Sequence, residues 1–148
     1  SILNQLTDRQ LAKTGNEPAV TRRQQRVQLD ENWYLIDTPG LLWPRLEDQG
    51  AAFMLACTGT IRNTAVEAED IAWFTAEMLL KDHRHVLTHR YNIAGSVTQP
   101  EQLLRHIAEI RGSLGKGGHP DWHKTSELLL NDYRSGKLGS LSLETPPE

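Results

Sequence analysis

The chain has little that would tie it to a membrane, an oxidising compartment or bare nucleic acid. One cysteine, Cys57, in 148 residues excludes an internal disulfide. No apolar run approaches the roughly 20 residues that cross a bilayer. Nothing near Ser1 reads as a basic stretch followed by an apolar one, so the cytoplasm is the expected location. A surplus of positive charge is also missing. The 16 Lys and Arg face 19 Asp and Glu, a net charge of -3, which excludes holding nucleic acid by overall charge and leaves only a local patch. Aromatic residues make up 6%, and there is neither an internal repeat nor a low-complexity tract. What is present, 38% hydrophobic and 24% charged residues, is the balance of a chain that buries a core in one domain or in two small units.

The pattern changes along the chain. Ser1 to Leu6 reads as the opening of a helix. Arg26 to Leu29 and Trp33 to Ile36 alternate apolar and polar residues around Asp30-Glu31-Asn32, a hairpin signal. The second run stops at Asp37-Thr38-Pro39-Gly40, and Pro44 closes the segment. Helical spacing then takes over. An Ala-rich stretch runs from Glu47 to Cys57, and Ile71, Phe74, Met78 and Leu79 form a stripe within Val66 to Leu80. A short helix is expected over Val86 to Tyr91. Thr98-Gln99-Pro100-Glu101 caps another that carries Leu103, Leu104, Ile107 and Ile110 up to Gly112. A last helix is expected over Trp122 to Ser135, stopped by Gly136. The fold class that follows is α+β, mainly α. Residues 1–44 form the mixed part and 45–139 a helical domain, with a frayed tail at 140–148.

Asp37 and Gly40 carry the chemistry. An Asp at the carboxyl end of a strand can hold Mg²⁺, and a glycine three residues later can bring its bare N–H to a γ-phosphate, an approach that a side chain would block. The same pair is also what an ordinary strand-to-loop exit prefers. Around it lies a longer string: Leu11-Ala12-Lys13-Thr14-Gly15-Asn16-Glu17-Pro18-Ala19-Val20-Thr21, Gln24-Gln25, Leu35-Ile36-Asp37-Thr38-Pro39-Gly40-Leu41-Leu42-Trp43-Pro44, Glu47-Asp48-Gln49, Lys124-Thr125-Ser126-Glu127-Leu128 and Ser135-Gly136-Lys137-Leu138-Gly139. In this order, over nearly the whole chain, these segments resemble the circularly permuted GTPases of the RbgA/YlqF type, which assist assembly of the large ribosomal subunit.

The resemblance implies a partial P-loop GTPase unit over residues 1–44, bearing switch I and switch II, followed by a C-terminal helical domain. It implies GTP and Mg²⁺ as cofactors, with Thr21 and Asp37 on the metal and Thr21, Asp37 and Gly40 on the γ-phosphate side. Thr14 is the runner-up for the role of Thr21, and Ala19 stands where relatives often carry Gly. Leu41 follows the switch II glycine where Ras-like proteins place the water-positioning Gln. This departure is typical of the family, and it means that any catalytic polar group comes from elsewhere. The phosphate cradle G-x-x-x-x-G-K-[ST] is absent from the chain. Ser1 to Leu6 resembles the helix that follows that motif, so the base-reading elements would lie upstream and the chain alone is expected to be inactive and not to bind GTP. The implied partners are the large ribosomal subunit precursor and its rRNA, with no membrane. Lys116, Lys124, Arg134 and Lys137 are the RNA candidates, set against a plain solvated helix face.

Other constellations read more simply. Leu114-Gly115-Lys116-Gly117-Gly118 lacks a preceding strand and reads as a flexible connection rather than a phosphate loop. His83, His85 and His89, and the pair His119 and His123, would need a third or fourth ligand in convergent geometry to hold zinc, and a solvated helix face is the plainer reading. Cys57 reads as a buried thiol. Trp43, Trp73 and Trp122 could stack on bases, but an aromatic at helical spacing is more often core; Trp73 and Phe74 are expected there, and Trp43 either stacks or faces the helical domain. The rival from another class is a non-enzymatic RNA- or protein-binding helical module, and a third reading is a truncated product with no retained activity.

Overall fold

A computed structural model describes residues 2–8, 24–38, 48–61 and 67–143. The chain divides into two compact units, Ser1–Glu47 and Asp48–Glu148.

The first unit holds α1 (Ile2–Thr7), β1 (Gln25–Asp30) and β2 (Trp33–Asp37). The strands pair antiparallel, with Val27 opposite Leu35 and Gln25 opposite Asp37. The hairpin expected around Asp30-Glu31-Asn32 is therefore present. The pairing slips between Gln28 and Asp30, and the Glu31 N–H donates to Asp30 Oδ1 at 2.7 Å, a short side-chain turn of the kind Asp favours. Period-two alternation leaves Val27, Leu35 and Asp37 half-buried, while Arg26, Tyr34 and Ile36 are exposed. On that outer face the Arg26 guanidinium lies 3.9 Å from the Tyr34 ring centre.

Among the described residues the second unit holds five helices: α2 (Gln49–Cys57), α3 (Ala68–Asp82), α4 (Arg84–Tyr91), α5 (Pro100–Arg111) and α6 (Trp122–Arg134). Several of their ends are set by local chemistry. Asp48 accepts from the Gly50 and Ala51 N–H groups at the start of α2, and Asp121 accepts from Lys124 N–H at the start of α6. Pro100 opens α5, and Gln102 Oε1 reaches back to the Thr98 and Gln99 N–H groups. Gly112 ends α5 at φ +66°, and Gly136 follows α6 at φ +73°, backbone conformations that glycine adopts without strain.

Helix α3 is the hub, packed against α2, α4, α5 and α6. Its Ile71, Ala72, Thr75, Ala76 and Leu79 are buried with Leu87 of α4, Leu103 and Ile107 of α5, and Leu129 and Leu130 of α6. Phe53 of α2 stacks on Phe74 with ring centres 5.1 Å apart. Trp73 departs from expectation: it is 46% exposed. At about 100° per residue it lies far round the helix from Ile71, whose face the core takes. The connection after α5 also differs from an open linker. Lys116–Gly118 forms one 3₁₀ turn, closed by the Gly118 N–H donating to the Gly115 carbonyl at 3.2 Å, and the Gly115 N–H donates to the His119 carbonyl at 2.7 Å across its base.

Candidate functional site

Two places in the chain gather chemistry. The first is Asp37, the last residue of β2, half-buried at the carboxyl end of the strand. Thr21 and Gly40, with Thr14, Leu41 and Trp43, fall outside the described residues. Mg²⁺ takes hard oxygen donors in an octahedral set. Asp37 suits it in kind, as one ligand of several. Among the described residues no three His, Cys, Asp or Glu side chains group to hold a metal ion by themselves.

The second place is a buried carboxylate on α6. Asp132 is 5% exposed and collects donors from three other segments. From the last turn of α4, Arg90 approaches Oδ2 with Nε at 3.0 Å and Nη2 at 2.9 Å, and the Tyr91 hydroxyl donates to the same oxygen at 3.1 Å. Arg111, the last residue of α5, brings Nη2 to 3.0 Å from Oδ2. Lys137, just past α6, places Nζ 3.2 Å from Oδ1. Burial pushes the Asp132 carboxyl upward, but the hydrogen bonds from Arg90 and Lys137 outweigh it and hold the group below its ordinary pKa. Burial, reinforced by the negative charge of Asp132, pushes the Tyr91 phenol up, so the hydroxyl stays a donor.

The four cations expected to meet RNA occupy different settings. Lys116 stands exposed on the 3₁₀ turn, and Lys124 is exposed in the first turn of α6. Arg134 spends Nε on the Cys57 carbonyl at 3.0 Å and Nη2 on the Ala56 carbonyl at 2.8 Å. It thereby satisfies the end of α2, where a cation also opposes the helix dipole. Lys137 joins the Asp132 group. Sequence reasoning missed Arg90, Tyr91, Arg111 and Asp132. The one local signal was an Arg in the last turn of both α4 and α5, which alone says no more than favourable helix ends.

The remaining candidates are explained by their neighbours. The Cys57 thiol is fully buried, 2.8 Å from Thr75 Oγ1, and burial pushes its pKa up. Its place fits the expected structural thiol. His123 pairs with Glu69 at 3.1 Å, and His106 Nε2 sits 2.8 Å from the Tyr91 carbonyl. Trp122 is 38% exposed, with the Arg105 guanidinium 5.8 Å from its ring centre.

Comparison with known proteins places these features in a family. The family model described as "50S ribosome-binding GTPase" matches residues 1–109. Ribosome biogenesis GTPase A of Bacillus cereus is 38% identical over 148 residues, which is 100% of this chain and 50% of that protein. Its namesake in Priestia megaterium is 35% identical over 148 residues, covering 100% of this chain and 51% of the relative. The chain thus spans about half the length of the curated relatives it matches. A GDP-bound structure of TM YlqF matches 98% of this chain and 54% of its own with a TM-score of 0.59, and at 23% identity the likeness is one of fold.

Proposed function

Because the chain belongs to the family of 50S ribosome-binding GTPases, we propose that it is the switch-bearing and helical portion of a circularly permuted GTP-binding protein that assists large ribosomal subunit assembly. The observation that carries this reading is the family match over residues 1–109, which takes in both the strand ending at Asp37 and the helices from α2 through most of α5.

Residues 1–44 contribute switch I and switch II. Thr21 and Asp37 are the oxygen ligands to Mg²⁺, and the Gly40 N–H reaches the γ-phosphate of GTP. When bound, Mg²⁺ neutralises charge that builds on the β- and γ-phosphates. The chain's own part is to hold oxygen donors at a strand end and leave Gly40 bare for close approach; the apolar Leu41 cannot orient a water, so the group that does so comes from elsewhere. The phosphate cradle and base-reading segments belong to an upstream part. The helical portion, 45–139, meets the precursor particle and its rRNA in the cytoplasm, with Lys116, Lys124, Arg134 and Lys137 as its candidate contacts.

Calorimetric titration tests the division of labour. The chain alone should bind GTP with Mg²⁺ no more tightly than about millimolar, whereas a form carrying the upstream segments binds it at least a hundredfold more tightly. Equal affinity for both forms would overturn the reading. The rival, a helical module that binds RNA or protein without nucleotide, is favoured by one observation: the Asp48–Glu148 unit buries a core of its own. It predicts particle binding that ignores the nucleotide.

A further inference from the structure

We infer that Arg90, Arg111 and Lys137, gathered around Asp132, form a binding site for the phosphodiester backbone of RNA. The inference rests on reading the helical unit as the part that meets the ribosomal precursor, and it names the surface that does so.

Charge and unspent donors carry the argument. Three cations converge on one carboxylate, and among the described residues none of them pairs with a second acidic group. Arg90 and Arg111 both approach Oδ2, so two guanidinium groups share one oxygen at 2.9 and 3.0 Å. The negative ends of α4 and α5 help each arginine to stay in place, yet they consume none of its N–H groups here. Arg90 keeps Nη1 unspent, Arg111 keeps Nε and Nη1, and Lys137 keeps two of its three N–H groups. The side chains remain 28, 34 and 49% exposed, so each cation keeps part of its surface in solvent beside a buried anchor.

Such an arrangement is preorganised for an anion. Asp132 holds the three heads close together at a cost in mutual repulsion, and a second anion at the rim relieves that repulsion while accepting the spare donors. Phosphate oxygens suit forked guanidinium groups, which can donate two parallel bonds. Other described arginines of this unit are spent elsewhere: Arg105 pairs with Glu101 within its own helix, and Arg84 spends its guanidinium on the carbonyls of Ala94, Gly95 and Val97. In a chain of net charge -3, a local anchored cluster is the form a phosphate-binding surface has to take.

The test uses the full 148-residue chain and a fluorescent RNA duplex of about 20 base pairs, with polarisation read from about 50 to 200 mM salt. The double variant Arg111→Gln/Lys137→Gln leaves Arg90 and Tyr91 to satisfy Asp132. It should bind on the order of tenfold more weakly and lower the salt slope by about two, since each lost phosphate contact lowers it by about one. A control of equal charge, Lys81→Gln/Arg105→Gln, should change the slope by less than about half of that. Lys137→Gln alone, at an exposed head, should lower the slope by about one and carries the test if the double variant melts. Equal effects of the two double variants would overturn the inference, and so would competition by low-millimolar inorganic phosphate, which would assign the cluster to a small anion. Absence of duplex binding with particle sedimentation intact would overturn the inference alone. Loss of sedimentation with duplex binding intact would overturn the reading of the helical unit and leave the cluster standing.

Discussion

The Arg134 guanidinium donates to the Cys57 carbonyl at 3.0 Å, so a side chain near the end of α6 closes the end of α2, 77 positions earlier in sequence. A second donor reaches the Ala56 carbonyl. Arg134→Ala should therefore lower unfolding free energy by about 1–3 kcal/mol, because two helix-end carbonyls lose charged donors. Urea denaturation followed by circular dichroism reads the change. A loss below about 0.5 kcal/mol, the ordinary effect at a surface site, would show that the clasp adds nothing.

Asp132 makes stability depend on acid. Its folded pKa is lowered although burial alone would raise it. The unfolded carboxyl titrates near 3.9, so the contribution is complete above that value and is lost as pH falls through the folded pKa. Thermal melts from about pH 5 down to about pH 2 should show a fall that Asp132→Asn flattens. At neutral pH the same substitution should cost about 3 kcal/mol, the low end for breaking a buried pair, because its cations can turn to solvent. Identical pH profiles for the two proteins would remove Asp132 from its central place.

The elements were legible where local signals agreed. The hairpin followed from alternation around Asp30-Glu31-Asn32, and α5 from Pro100, its apolar stripe and Gly112. Trp73 was misread because a large aromatic beside Phe74 looks like core, while the core in fact takes the Ile71, Thr75 and Leu79 side of the helix. The Asp132 group was not legible at all. Its members sit at 90, 91, 111, 132 and 137, and they meet only through the packing of α4, α5 and α6. Arg134 and Lys124 looked alike as cations on one helix, since nothing local says that the end of α2 would claim the first. Of the proposed nucleotide site, Asp37 alone lies among the described residues, at the strand end where its sequence neighbours put it.

Ser126 offers a change in the stabilising direction. Its hydroxyl is buried and, among the described residues, has no hydrogen-bond partner. Ser126→Ala removes an unsatisfied polar atom and should raise stability by up to about 1 kcal/mol. A comparable loss in urea unfolding would mean that the hydroxyl is satisfied after all.

Gly40→Ala separates the two nucleotide states in a form carrying the upstream segments. The added methyl should leave GDP affinity within about twofold and weaken affinity for a non-hydrolysable GTP analogue by at least about tenfold, since a γ-phosphate contact alone is blocked. Equal weakening of both would assign Gly40 a folding role.

The most direct measurement is sedimentation of that same form with large-subunit precursor particles, with GDP or with a non-hydrolysable GTP analogue. The proposed function, in which Asp37 at the end of β2 belongs to switch II, predicts retention with the analogue, release with GDP, and loss of the difference in Asp37→Asn. Equal retention with either nucleotide, unchanged by Asp37→Asn, would contradict the account and leave a helical module that binds without a switch.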